Sequence, residues 1–314
     1  MSTTVCFLLA VCVIVYITHP APVESQCTAR HCFDDDNDVK PLTTMMHHIS
    51  DTVERHHQEC QQSLLQQRTQ FEELQKQFND SMQQRTQFEV LQKQFRPALD
   101  CYDLKMKGVT TSGVHNIFLK RSNKYIKVFC EMTRNGGGWT VFQRRQDGSV
   151  NFWRDWATYK KGFGNLEGEF WLGNDYIHEI TTQKNYSIRV DLEDFDGKTA
   201  YAEYSSFNVA SESEYYKLSL GSYNGTAGDS FGYHSGKMFS TKDPNHDHDT
   251  YPGMHCAQAV RGGWWYGRCF KVCLNGQYLH GSYTSFYNGI EWERFRSPKY
   301  SLKKTDMKLR PLLN

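Results

Sequence analysis

The stretch "NGGGWTVFQRRQDGSVNFWRDWATYKKGFGNLEGEFWLGNDYIHEIT", residues 135–181, carries the information that sets the fold class. With the Thr133 and Arg134 that precede it, its opening reads as a strand and turn: glycines punctuate, then an apolar and aromatic run follows. Its last ten residues, from Leu172, read as a helix. Flanking runs behave alike, since "KYIKVFCEM" (124–132) and "NYSIRVDLEDF" (185–195) both alternate as strands do. Many strands with few helices predict an antiparallel α+β domain beginning near Cys101.

Before that point the text has a different character. Residues 26–96 are rich in Gln, Glu, His and Arg and lack glycine, and they contain an internal repeat. "QQRTQFEELQKQF" (66–78) recurs as "QQRTQFEVLQKQF" (83–95), identical at 12 of 13 positions. Phe71, Leu74 and Phe78, then Phe88, Leu91 and Phe95, fall at the three-and-four spacing of a helix with an apolar stripe. Such a helix is marginal alone, so self-association through a coiled coil is expected. The 17-residue offset is two heptads plus three, a stammer. Extending the first frame backwards puts Leu64 and Cys60 on the seam, and Pro97 ends the helical pattern.

Residues 1–25 read as a signal peptide, because Val5 to Ile17 is apolar but too short to span a bilayer. Removal of that segment leaves Cys27, Cys32, Cys60, Cys101, Cys130, Cys256, Cys269 and Cys273, with no CxxC pair. That usage favours disulfides in an oxidising compartment over a zinc ribbon. Sequons at Asn79, Asn185 and Asn224 agree with secretion. Cys27, Cys32 and Cys60 are candidates for interchain bonds. A net charge of +1 gives no basic footprint for a nucleic-acid partner.

The loop "DPNHDHDTYPGMHC" (243–256) concentrates oxygen and nitrogen donors. Asp243, Asn245, Asp247 and Asp249 alternate, which suits a hard cation needing six to eight oxygens. His246, His248 and His255 offer nitrogens for zinc, and a solvated turn is the third reading. "GDSFG" (228–232) looks like a nucleophile turn around Ser230, which would need a His base and an orienting acid to act.

The 135–181 stretch, continued in order by "GDSFGYHSGKMFSTKD", "CAQAVRGGWWYGRC", "LNGQYLHG" and "NGIEW", resembles the fibrinogen C-terminal domain family. The likeness runs from Cys101 to Arg310 and points towards its secreted lectin-like members, ficolins and tachylectins among them. It implies a central antiparallel sheet with a loop-rich calcium and ligand subdomain, divided as residues 1–25, 26–96 and 97–314. It also implies disulfides Cys101–Cys130 and Cys256–Cys269, leaving Cys273 either a buried thiol or a partner for another cysteine. Calcium would sit on Asp247 and Asp249 with the carbonyls of Tyr251 and Gly253; an alternative register uses Asp243 and Asn245. An acetyl-binding pocket would form beside a cis peptide at His255–Cys256, from Val260, Phe270, Phe286, Pro298 and Tyr300, with Tyr287 nearby. The resemblance implies no catalysis. It implies calcium-assisted capture of glycans or acetylated groups on microbial surfaces, with a protein receptor as the alternative ligand.

Overall fold

The computed structural model describes residues 39–243, 246, 255–285, 287–296 and 299–312. The chain divides into two units, residues 1–93 and 94–314. The signal-like segment, Cys27 and Cys32 lie outside the described residues.

In the first unit, a single helix α1 (Val39–Phe95) runs unbroken through both copies of the repeat. It stops just before Pro97, whose ring disfavours helical geometry in the preceding residue. The apolar residues singled out by their spacing, Leu64, Phe71, Leu74, Phe78, Phe88, Leu91 and Phe95, are all exposed, as are Met46 and Ile49. None of the helices among the described residues is long and apolar enough to cross a membrane. Cys60 is disulfide-bonded.

The second unit is built on an antiparallel sheet in the order β1-β2-β3-β15-β6-β7-β10. These strands are β1 (Gly113–Leu119), β2 (Lys124–Glu131), β3 (Trp139–Arg145), β6 (Tyr186–Glu193), β7 (Thr199–Tyr204), β10 (Tyr223–Gly225) and β15 (Lys304–Pro311). The short β5 (Phe170–Trp171) pairs with β3 and carries β4 (Phe163–Gly164) on its other edge, while β8 (Phe207–Val209) and β9 (Leu218–Leu220) form a separate pair. Strand β6 shows why the segment is a strand. Tyr186, Ile188, Val190 and Leu192 are buried, while Ser187, Arg189, Asp191 and Glu193 are not, the period of two that a pleated strand with one covered face demands. The last strand, β15, sits in the middle of the sheet between β3 and β6. The sheet is therefore complete only when the C-terminus is in place.

Helices α2 (Cys101–Met106), α3 (Trp156–Lys161), α4 (Asn174–Gln183) and α5 (Cys256–Val260) complete the α+β architecture. The helix announced for residues 172–181 is present two residues further on, as Asn174–Gln183. Asp100 caps α2 by accepting the Asp103 N–H, and it also receives the Lys184 ammonium and the Tyr186 hydroxyl at 2.9 and 2.8 Å. Cys101 at the start of α2 is disulfide-bonded to Cys130 of β2. Five of the seven tryptophans (Trp139, Trp171, Trp264, Trp265 and Trp292) are buried in the core, where large apolar area counts most.

Two buried charged residues position the loop-rich C-terminal part. Glu169 is fully buried and accepts the backbone N–H groups of Gln146, Asp147, Gly148 and Val150 at 2.7, 3.1, 2.9 and 3.2 Å. Arg145, also buried, lies 3.6 Å from Glu169 and donates to the carbonyls of Leu274 and Gly276. Gln143 adds a bond to Leu274 and another to Asn275. Residues 274–276 are thereby tied to the centre of the sheet.

Candidate functional site: the C-terminal loop region

Residues 240–301 hold most of the anticipated site and little regular structure. The short strands β11 (Val272–Cys273), β12 (Gly281–Ser282), β13 (Glu291–Trp292) and β14 (Tyr300–Ser301) pair as β11 with β13 and β12 with β14. Helix α5 opens at Cys256, which is disulfide-bonded to Cys269. Both disulfides that the resemblance implied are therefore present. Cys273 is a free, fully buried thiol, its pKa pushed up to about 12 by burial.

His234 anchors this region from beneath. Its ring is fully buried, and Nε2 accepts the N–H groups of Lys271 and Val272 at 3.2 and 3.1 Å. Nδ1 therefore carries the proton and donates to the Trp265 carbonyl at 2.6 Å. Burial lowers the imidazole pKa to about 4 from an ordinary 6.5. Because the folded pKa lies below the unfolded one, this group's contribution is fully present above pH 6.5. It is lost as pH falls towards 4, by about 3 kcal/mol at about 1.36 kcal/mol per pKa unit. Urea unfolding at pH 7 and pH 4 should show that loss in the wild type and a smaller one in His234→Gln. Equal losses in both proteins would contradict this role.

The loop donors divide. Asn245, Asp247, Asp249, Tyr251 and Gly253 lie outside the described residues, as do Phe286 and Pro298 of the anticipated pocket. Asp243 is described, and both its oxygens are engaged by the Trp156 N–H at 2.9 and 3.1 Å, with the Thr241 hydroxyl at 2.7 Å. Its carboxylate fastens the loop to the start of α3, which argues against the register using Asp243. His246 donates its N–H to Ser240, and its ring stacks on Tyr215 at 4.0 Å. Among the described residues, no group of three His, Cys, Asp or Glu side chains is arranged to hold a metal ion.

The pocket expectation needs correcting at two points. The His255–Cys256 bond is not cis; the described residues contain no cis peptide. Val260 is fully buried among core residues, so it packs the interior instead of lining an open wall. The other described residues keep surface character. Phe270 is partly buried against the core. The Tyr300 hydroxyl accepts the Phe195 N–H at 3.0 Å, and the Arg296 guanidinium lies 4.7 Å over its ring. Tyr287 is exposed beneath the Lys299 ammonium. His255 is the N-cap residue before α5, and its Nε2 is buried without a hydrogen-bond partner.

Two features escaped the sequence reading. Glu291 is buried with Oε1 unpartnered, and burial raises its carboxyl pKa to about 7. A cleft of about 630 Å³ lies along the sheet, lined among others by Arg134, Arg144, Arg189, Asp191, Tyr201 and Asp306. Its charges pair with one another, Arg144 with Asp306 and Arg189 with both Asp191 and Glu203. The half-exposed residues of β6 that line it are ordinary outward positions in sequence, so only the strand order reveals it. Ser230 is fully buried and accepts the Arg294 N–H at 3.1 Å, which withdraws it from any substrate. Asn79, Asn185 and Asn224 are all exposed.

The second unit is thus a disulfide-stapled antiparallel α+β domain whose loop segment is tied to the sheet by buried charged residues. Residues 98–312 match the family described as fibrinogen beta and gamma chains, C-terminal globular domain, and the chain belongs to that family. Fibrinogen C domain-containing protein 1 of Mus musculus is 49% identical over 217 residues, 68% of this chain and 47% of that protein. Angiopoietin-related protein 2 of Homo sapiens is 49% identical over 217 residues, 68% of this chain and 43% of that protein. The chain thus spans less than half the length of the curated relatives it matches. The fibrinogen-like globe domain of human ANGPTL2 superposes with a TM-score of 0.66 at 47% identity, covering 68% of this chain and 99% of that one. A lamprey fibrin D-dimer complexed with the peptide Gly-His-Arg-Pro-amide gives a TM-score of 0.64 at 31% identity, covering 88% and 96%. These relatives are of the fibrinogen C domain-containing and angiopoietin-related kinds, which shifts the placement away from ficolins and tachylectins. The family consists in general of non-enzymatic binding proteins.

Proposed function

We propose that the chain is a secreted, multivalent capture protein of innate defence. Its fibrinogen-like domain binds glycans or acetylated groups on microbial surfaces, and its helix gathers several such domains. The observation that carries this reading is the exposed apolar stripe of α1, on a chain whose other unit buries its large apolar residues well. Weak single sites gain avidity of roughly 10²–10⁴ when several engage together. Association of copies through that stripe, with disulfides as staples, supplies the valence.

Calcium on Asp247 and Asp249, with the carbonyls of Tyr251 and Gly253, fits the chemistry of the donors: two carboxylates and two neutral oxygens suit a hard cation. The engagement of Asp243 by Trp156 and Thr241 supports this register over the one using Asp243 and Asn245. When bound, the ion would supply charge that orders the loop beside His255 and Cys256. The pocket residues Phe270, Phe286, Pro298 and Tyr300 would contribute the apolar wall, and Tyr287 an exposed aromatic edge.

A second reading, a protein ligand in place of a glycan, is favoured by the angiopoietin-related relatives and by the peptide in the lamprey complex. The two readings separate on an acetylated surface. Capture of the intact protein there should require calcium and fail in Asp247→Ala/Asp249→Ala. Capture unaffected by that pair of substitutions would exclude the calcium-assisted reading.

A further inference from the structure

The two copies of the repeat do not face the same way. Successive residues of an α-helix are about 100° apart, so an offset of 17 residues falls about 100° short of five full turns. The Phe88–Leu91–Phe95 patch is therefore rotated by about 100° from Phe71–Leu74–Phe78. The first patch continues a long stripe. Met46, Ile49, Val53, Leu64, Phe71, Leu74, Phe78 and Met82 lie within an arc of about 80° on an ideal helix. Beyond Met82 that arc turns polar, occupied by Arg85 and Glu89, which pair with each other at 3.5 Å. Because α1 is continuous from Val39 to Phe95, no break in the helix realigns the two faces.

A helix packing on a neighbour covers a stripe roughly 100° wide. Self-association through the Met46–Met82 stripe therefore leaves Phe88, Leu91 and Phe95, which are 60%, 45% and 81% exposed, outside the seam. We infer that this patch is a second self-association face, mating with the same patch on another copy so that helix-paired assemblies join into larger ones. The occupant follows from the duplication. The patch is a near-identical copy of the Phe71–Leu74–Phe78 surface, so a surface complementary to itself once is so again. On the same face, the neighbouring residues Gln77 and Gln84 are uncharged, and the carboxylate between them, Asp80, lies about 20° outside the arc of the patch.

This inference rests on the self-association proposed above, and light scattering on the secreted full-length protein separates the two. Phe88→Gln and Leu91→Gln keep good helix formers in place, and circular dichroism checks that the helix remains. Wild type should have a mass at least twice that of the double variant, and the variant should remain larger than one chain. Phe71→Gln/Leu74→Gln should shrink the wild-type assembly independently. A monomeric wild type would defeat the self-association proposal itself. An oligomeric wild type whose mass is unchanged by the double substitution would overturn only this inference. A fall to single chains would also overturn it, by showing that both patches belong to one overwound seam.

Discussion

Replacing Glu169 by glutamine is expected to lower the free energy of unfolding by about 3–5 kcal/mol, the range for removing one partner of a buried ion pair. Two penalties combine. Arg145 would keep its charge in the interior, with only the Leu274 and Gly276 carbonyls to answer it. The amides of Gln146, Asp147, Gly148 and Val150 would also lose a charged acceptor, and charge-assisted bonds are about twice as strong as neutral ones. The effect should reach residues 274–276, because Arg145 shares with Gln143 the bonds that tie that loop to β3. Urea unfolding should show a lower midpoint with an unchanged slope, the mark of altered stability rather than altered compactness. A loss below about 1 kcal/mol would place Glu169 among ordinary surface carboxylates.

The second large effect is expected from Cys101→Ser/Cys130→Ser. The bridge closes a loop of sequence separation 29, for which chain entropy alone gives about 3.5 kcal/mol. Local structure compounds the effect: the Cys101 N–H donates to Thr140 Oγ1, and the adjacent Asp100 gathers Lys184 and Tyr186. The bridge thus joins the start of α2 to β2 and, through its neighbour, to the start of β6. The Cys256–Cys269 bridge has a separation of only 13, so its removal should cost less globally, about 3 kcal/mol. Denaturation of the Cys101→Ser/Cys130→Ser protein, with the second bridge intact, should show the larger loss. Equal or smaller loss than in Cys256→Ser/Cys269→Ser would contradict the loop-length ordering.

What was legible in the sequence follows physical lines. Local periodicity announced β6 and α4, since a half-buried strand and a surface helix each write burial directly into residue order. The helix of α1 was equally plain, and Pro97 marked its end. The disulfides came from the likeness of whole motifs, because spacing alone permits many pairings. The central place of β15 left no local trace, because pairing across the sheet joins residues more than 100 positions apart. Glu169 read as one more acidic residue, and only tertiary burial turns it into a receptor for four amides. Val260 misled because a small apolar residue fits a pocket wall and a core equally well. The tie of Asp243 to the Trp156 N–H was not legible either, because an aspartate in a donor-rich loop serves a backbone N–H as readily as a cation.

The proposed function stands on capture of acetylated ligands assisted by calcium. Its most direct test exposes the intact protein to paired surfaces bearing N-acetylated and non-acetylated forms of the same sugars, in calcium and then in EDTA. Retention only on the acetylated member, competed by free acetylated ligand and abolished by EDTA, is the predicted result. Retention indifferent to acetylation and to EDTA, or binding to protein surfaces alone, would contradict the claim and leave the protein-ligand reading in its place.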